Sequence, residues 1–154
     1  LATDISEGAI WANASLSHMS KQLSEVPNAV RDDFFLANMI PTVIDDDIEA
    51  ARAVNRRTLT GYVSLPNYRN YWRAAGYVEE MDAIEAAIEA GNKDILPSLM
   101  SDKWLDDNTI SGSASHVRAR FEEWAHAGVT PIAVMSSTTG GQVKAINQLF
   151  DVYN

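Results

Sequence analysis

The sequence predicts an α/β chain, rich in helix, whose strands run parallel but are too few to close a sheet or a barrel. Three observations lead there. Short, nearly continuous apolar runs occur at 7–13, 34–40 and 131–135, the habit of strands covered on both faces. Between and after them lie about six or seven stretches with helical periodicity, and strands alternating with helices favour parallel pairing through right-handed crossovers. Three strands fall short of a doubly wound sheet and far short of the eight that close a barrel. The 154 residues have room for one domain with a real core, so the chain reads as one incomplete α/β unit.

The elements come in this order. Residues 1–6 read as the tail of a helix, and the acidic-Gly step Glu7-Gly8 opens the first strand, 7–13, with Ile10 and Trp11. A helix is expected over 15–23, capped by Ser15 or Ser17 and broken by Pro27 and Asn28. The second strand runs 34–40, Phe34 to Ile40. Asp46 with Glu49 three residues on has the form of a capping box, and the helix it starts extends to about Tyr62 with Ile48, Ala51, Asn55, Leu59 and Tyr62 on one face. Pro66-Asn67 marks a boundary, after which Tyr68, Tyr71 and Trp72 fall at helical spacing up to Gly76. Tyr77, Met81, Ile84 and Ile88 form the clearest amphipathic stripe, with Glu79, Glu80, Asp82, Glu85 and Glu89 outside it and Gly91 as the C′ residue. A short helix over 94–100, a connection through Trp104 and a turn at 110–113 precede a helix with Val117, Phe121, Trp124 and Ala125 inside, stopped by Gly128. The third strand, 131–135, then leads through a Thr138 to Gly141 loop into a closing helix carrying Val143, Ile146, Leu149 and Phe150.

Composition narrows the function classes. A formal net charge of −9 argues against nucleic acid, whose binding leans on clustered Lys and Arg; the local group Arg52, Arg56 and Arg57 reads as a solvated helix face. The absence of cysteine removes disulfides, thiolate zinc sites and cysteine nucleophiles and is compatible with a reducing cytoplasm, the location expected here. No apolar run reaches the ~18 residues of a membrane span, so no membrane partner is expected. The first residue is Leu1 and not Met, which with the strand shortage reads as a piece of a longer chain. His18, His116 and His126 lack the spacing of a metal site, and no Gly-x-Ser-x-Gly elbow supports a hydrolase. The aspartates at 45–47 and at 106 and 107 read as helix caps and solvated turns before they read as an acid–base pair.

Several of these segments, taken together, resemble the luciferase-like flavin and deazaflavin oxidoreductases. The run Ile44-Asp45-Asp46-Asp47-Ile48-Glu49-Ala50-Ala51-Arg52 is similar to the aspartate-rich helix start after that family's seventh strand, and Leu65-Pro66-Asn67-Tyr68 with Ala75-Gly76-Tyr77 also resembles the family. Ile110-Ser111-Gly112-Ser113, Val117, Phe121 and Ala127-Gly128-Val129 resemble the lead into the last barrel strand. Asp4-Ile5-Ser6-Glu7-Gly8-Ala9-Ile10 looks like a helix end and sixth strand, with Glu7 where the family usually has aspartate. The branch resembling methylene-tetrahydromethanopterin reductases looks nearest. The resemblance implies a partial (β/α)8 TIM barrel, its last three βα units, and a cofactor that is deazaflavin or FMN, which this part of the chain does not discriminate. It also implies that most groups shaping the redox pocket lie on the first five strands, outside this sequence, so that the piece alone is catalytically silent and contributes one wall of the cleft.

Barrel sites lie at the carboxyl ends of strands, which selects the candidate cofactor-binding residues. Trp11 offers an indole to a planar ring and Asn13 an amide to its edge; the competing reading is a core tryptophan and a turn asparagine. Asn38, Met39 and Ile40 close the second expected strand. Ser136 and Ser137 end the third, and Gly140-Gly141 open the last helix, where free N–H groups suit a phosphate or carboxylate and Lys144 adds charge; the competing reading is a plain helix cap. A small-molecule substrate is implied. A second functional reading is a partial barrel without catalysis that self-associates, as a homo-oligomer, through its exposed sheet edge.

Overall fold

The computed structural model describes residues 5–25 and 33–153. Most of the helix tail expected over 1–6 and the break at Pro27 and Asn28 lie outside them. The organising element is β2 (Phe35–Ile44), whose run of apolar residues is long enough to carry three partners. It pairs in parallel with β1 (Gly8–Ala12), β3 (Ile110–Gly112) and β4 (Thr130–Ser136). The predicted parallel α/β class is therefore present, with four strands among the described residues instead of three.

The fourth strand corrects the sequence reading at two points. Residues 110–113 were expected to turn, yet Ile110 to Gly112 lie opposite Thr42 to Ile44. The second strand was expected to end at Ile40, next to Pro41, but continues to Ile44. Backbone geometry explains both. In a parallel ladder alternate residues of a strand bond to alternate neighbours. Phe35 N–H donates to Glu7 O at 2.9 Å, Met39 O accepts from Asn13 N–H at 3.0 Å, and Asp45 N–H donates to Gly112 O at 2.9 Å. These odd-numbered residues all serve one edge of β2, so β1 and β3 lie end to end along that edge and β4 occupies the other. Pro41 is odd as well, and falls between the last β1 partner, Met39, and the first β3 partner, Thr42. Its missing N–H is thus placed where the edge changes partner, and the strand passes through proline without losing a bond.

The two faces of the sheet differ. Partners in register share a face, which puts Trp11, Leu36, Ile40, Ile44, Ala133 and Met135 on one side, packed with Val117, Phe121, Trp124 and Met19. The helices there are α1 (Leu16–Ser24) and, between β3 and β4, a helix over Ala114–His126. The other face carries Ile10, Phe35 and Met39, exposed at 55%, 48% and 40%.

Between β2 and β3 the chain builds a helical layer with its own core. It consists of α2 (Ile48–Val63), α3 (Pro66–Ala74), α4 (Val78–Glu89), a 3-10 helix (Lys93–Leu99) and α5 (Asp102–Asn108); α5 stands where only a connection through Trp104 was expected. The helices after it are α6 (Ala114–His126) and α7 (Gln142–Asp151). Asp47, and not Asp46, caps α2, accepting from Glu49 and Ala50 N–H at 3.1 Å each. Leu59, Val63, Trp72, Met81, Ile84, Leu96 and Trp104 fill the core of the layer, and its rim is ionic. Arg52 holds Asp106 with two nitrogens, at 3.1 and 2.6 Å, and also reaches Glu49 and Asp102. Arg69, only 5% exposed, donates to Val63 O and to Glu85, both at 2.9 Å. No helix among the described residues is long and apolar enough to cross a membrane.

Candidate functional site

The carboxyl ends of β1, β2 and β4 point the same way because the strands are parallel, and each ends in a different chemistry. At the end of β1 a groove of about 360 Å³ is lined by Ile10, Trp11, Ala12, Ala14, Asn67, Tyr68 and Tyr71. Its size is at the lower end of small-ligand pockets, ~300–1,000 Å³, and its walls are aromatic on both sides. Trp11 is half-buried and donates its indole N–H to Gln22 Oε1 at 3.3 Å. Tyr68 rests on Trp72 with ring centroids 5.5 Å apart, and Tyr71 OH accepts from Ser15 N–H at 3.0 Å. Burial raises both tyrosine hydroxyls above the ordinary phenol range, so both stay neutral at physiological pH.

Asn13, just past β1, is the hinge of this corner. Its backbone is left-handed (φ 59°), a conformation that asparagine tolerates better than most residues. Its N–H and C=O are engaged, with Met39 O and with the Trp72 indole at 3.2 Å, yet its side-chain Nδ2 is buried without a partner. Asn38 accepts from Ala14 N–H at 3.2 Å and likewise leaves a buried Nδ2 unpaired. Behind them Asn108 Oδ1 gathers the Ser15 hydroxyl at 2.7 Å and the Trp72 indole at 2.9 Å, tying α1, α3 and α5 to the strand end. A buried donor without an acceptor is costly, and these two amides leave such donors beside the groove.

The corner at β4 has the opposite character. Ser136 is the last residue of β4, opposite Val43. The Ser137 hydroxyl accepts from Gly140 N–H at 3.1 Å, closing the loop on itself, and Gly141 is the N-cap of α7. Lys144 bonds back to Thr139, and Thr138 donates to Asp45. That hydrogen bond, followed by one from Asp47 N–H, holds the Asp45 carboxyl below its ordinary range, so it is anionic at neutral pH. A second cavity, of about 370 Å³, lies nearby with Asp45, Asp46 and Asp151 in its wall. Lys144, expected to attract an anion at Gly140, bonds to the neutral Thr139 hydroxyl and keeps its charge, while Asp45, Asp46 and Asp151 bring negative charge to the same corner.

The structure thus gathers Trp11 and Asn13 at one corner and Ser136, Gly140 and Gly141 at another. Met39 adjoins the first, in register with Ala12 and accepting from Asn13 N–H, but does not line the groove. It was placed at a strand end, but β2 runs on to Ile44, so Met39 sits mid-strand on the face it shares with Ile10 and Phe35, which α2 covers at Val43. Asn67, Tyr68, Tyr71 and Asn108 were not singled out for the site; the helical spacing of Tyr68 and Tyr71 was visible, but not that it faces β1. Of the other groups weighed, Asp106 binds Arg52, and Asp107 accepts from Tyr77 OH at 2.7 Å and from Ser17. His18 packs edge-on against Tyr71. Among the described residues no three metal-binding side chains converge.

Comparison with known proteins gives this architecture a family. Among curated proteins none matches the chain. Among solved structures it is similar to the coenzyme F420-dependent tetrahydromethanopterin reductase of Methanopyrus kandleri, with a TM-score of 0.73 and 21% identity, over 96% of this chain and 44% of that one. The chain therefore spans less than half the length of that relative. The family model described as luciferase-like monooxygenase matches residues 1–131, and the chain belongs to that luciferase-like family.

Proposed function

We propose that this chain forms one wall of the cofactor and substrate cleft of a luciferase-like oxidoreductase that uses a deazaflavin or FMN and acts on a small organic molecule in the cytoplasm. The observation that carries the reading is the β1 corner, an aromatic groove at a strand's carboxyl end beside two buried amides with unpaired donors. Trp11, Tyr68 and Tyr71 suit the apolar face of a planar ring, and Asn13 suits a carbonyl on its edge. When bound, such a cofactor supplies the hydride chemistry; the residues here bind, orient and exclude water. The coenzyme F420 dependence of the Methanopyrus kandleri reductase favours the deazaflavin.

In this reading the chain is one arc of a barrel, its last three βα units, and is silent by itself because the remaining walls are absent. Ser136 and the Gly140-Gly141 turn stand at the rim of the cleft, where Lys144 favours and Asp45 opposes an anionic end of the cofactor. Met39 faces the barrel interior.

Titration of the chain with oxidised deazaflavin and with FMN, followed by the cofactor's visible absorption and fluorescence, tests the reading. Weak binding that falls at least fivefold in Tyr68→Ala and in Asn13→Ala is expected, with no turnover. Turnover by the 154-residue chain, or binding that neither variant changes, would sink it.

A further inference from the structure

We propose that Trp104, Trp72, Tyr68 and Tyr62 form a relay that carries a one-electron oxidation from the aromatic core and the β1 groove to solvent at Tyr62. It rests on the proposed cofactor groove only for the place where the oxidant binds.

The four rings form an unbroken line. Tyr62, near the end of α2, meets Tyr68 edge-on with centroids 5.1 Å apart. Tyr68 meets Trp72 at 5.5 Å, and Trp72 meets Trp104 of α5 edge-on at 4.9 Å. Tyr68 and Trp72 are four residues apart on α3 and so share one face of it. All three separations lie in the contact range of packed aromatic rings. In this cysteine-free chain tyrosine and tryptophan are the side chains that give up one electron most readily. Electron tunnelling falls exponentially with distance, so rings in contact exchange a hole in preference to any path through aliphatic side chains.

Proton chemistry gives the line a direction. An oxidised indole is a cation, which burial disfavours. Trp104 is fully buried and its N–H has no acceptor, so a hole is least stable there. The Trp72 N–H donates to Asn108 Oδ1 and to Asn13 O, bonds that strengthen when the ring is positive, yet neutral amide oxygens do not take the proton. An oxidised tyrosine instead releases its phenol proton. Tyr62 is 36% exposed and releases it to water, so the hole ends there as a neutral tyrosyl and no buried charge remains. Tyr68, half-buried in the groove wall, is the entry from a bound ring. With a light-excited flavin as the oxidant, Tyr68 gives it an electron, loses its phenol proton to solvent, and recovers both when Tyr62 is oxidised in turn. The net change is one electron to the flavin, one O–H bond broken at Tyr62 and one proton to water. A small soluble thiol then restores Tyr62 by giving it a hydrogen atom, and the core tryptophans are spared.

The test needs no cofactor, so its failure is separable from failure of the ring-binding reading. An ultraviolet pulse ejects an electron from tryptophan in the 154-residue chain, dissolved oxygen takes up that electron, and transient absorption follows the tryptophanyl and tyrosyl radicals. Tryptophanyl decay matched by a tyrosyl rise is expected, at a rate independent of protein concentration. Tyr68→Phe keeps the ring packing and should slow the rise at least tenfold, and Tyr62→Phe combined with Tyr68→Phe should remove it. A Trp11→Phe, Trp124→Phe background confines the hole to Trp72 and Trp104. Circular dichroism checks that each variant is folded, and the chain with all four tryptophans carries the same comparison should that background not fold. Absence of a tyrosyl rise, a rate unchanged in Tyr68→Phe, or a rate that scales with protein concentration would each overturn the proposal. So would a signal that survives the tyrosine pair and is lost in Tyr71→Phe, or in Tyr77→Phe, whose phenol donates to Asp107.

Discussion

Trp72 and Trp104 are both fully buried, with rings packed edge to face at 4.9 Å, yet replacing each by phenylalanine should give very different results. The lost indole area and the small cavity left behind cost a similar amount in both, about 1–2 kcal/mol. The N–H groups differ. Trp72 Nε1 donates to Asn108 Oδ1 at 2.9 Å and to Asn13 O at 3.2 Å. Without it Asn108 Oδ1 keeps the Ser15 hydroxyl, but Asn13 O loses its donor, adding about 1–2 kcal/mol. Trp104 Nε1 is buried with no acceptor, so Trp104→Phe removes an unsatisfied donor and recovers part of the ~1–3 kcal/mol that such a group costs. Trp72→Phe should therefore lose about 3 kcal/mol and Trp104→Phe about 1 kcal/mol or less. At an m-value of roughly 2 kcal/mol/M in urea the two midpoints should differ by about 1 M. Urea melts monitored by circular dichroism measure this directly. Equal losses at matched m-values, or a larger loss in Trp104→Phe, would refute the claim that the indole N–H of Trp72 is what ties the β1 corner to the helical layer.

Three further outcomes are expected. Arg52→Ala should destabilise by about 1–2 kcal/mol, more than a single exposed ion pair, because one guanidinium holds Asp106, Glu49 and Asp102 together; chemical denaturation of the variant and of Asp106→Asn checks it. The Tyr77 hydroxyl is raised from its ordinary 10.0, by burial first and then by its bond to Asp107. The folded state therefore favours the protonated form, and the resulting stability is complete below about pH 10 and lost as pH rises above it. In melts across pH ~7 to ~11 the deficit of Tyr77→Phe against the parent should accordingly shrink at the alkaline end. Gly8→Ala should cost about 1–3 kcal/mol, since its Cβ would lie 2.5 Å from Phe35 O. Gly61→Ala, with open space and an exposed site inside α2, should gain about 0.5–1 kcal/mol, which thermal melts will register with opposite signs.

The helical layer and the strand–helix order were legible in the sequence because apolar spacing reports which side of an element is buried. Tyr77, Met81 and Ile84 lie in the core their spacing predicted. What escaped was set by tertiary pairing. Ile110 to Gly112 carry too short a signal to declare a strand, and become one only because β2 continues past Pro41 and needs a neighbour there. The expected strand stopped at Ile40, and the gap between β1 and β3 that lets it continue through Pro41 is not visible in the sequence. The same limit applied to the site. Trp11 and Asn13 could be picked out as strand-end residues, but Tyr68 and Tyr71 are far away along the chain, and their position across the groove comes from how α3 folds back over β1.

The two corners differ in the chemistry they present. The β1 corner offers neutral aromatic faces and unpaired amide donors, groups that bind a ring through contact area and hydrogen bonds and are little affected by salt. The β4 corner offers free N–H groups at the start of α7, which by themselves would attract an anion. That attraction is opposed by an ionised Asp45 hydrogen-bonded to Thr138 in the same loop and by Asp46 and Asp151 nearby, and reinforced by Lys144, whose charge the bond to the Thr139 hydroxyl leaves in place. The β4 loop therefore carries fixed charges of both signs, Lys144 against Asp45, where the β1 corner carries none.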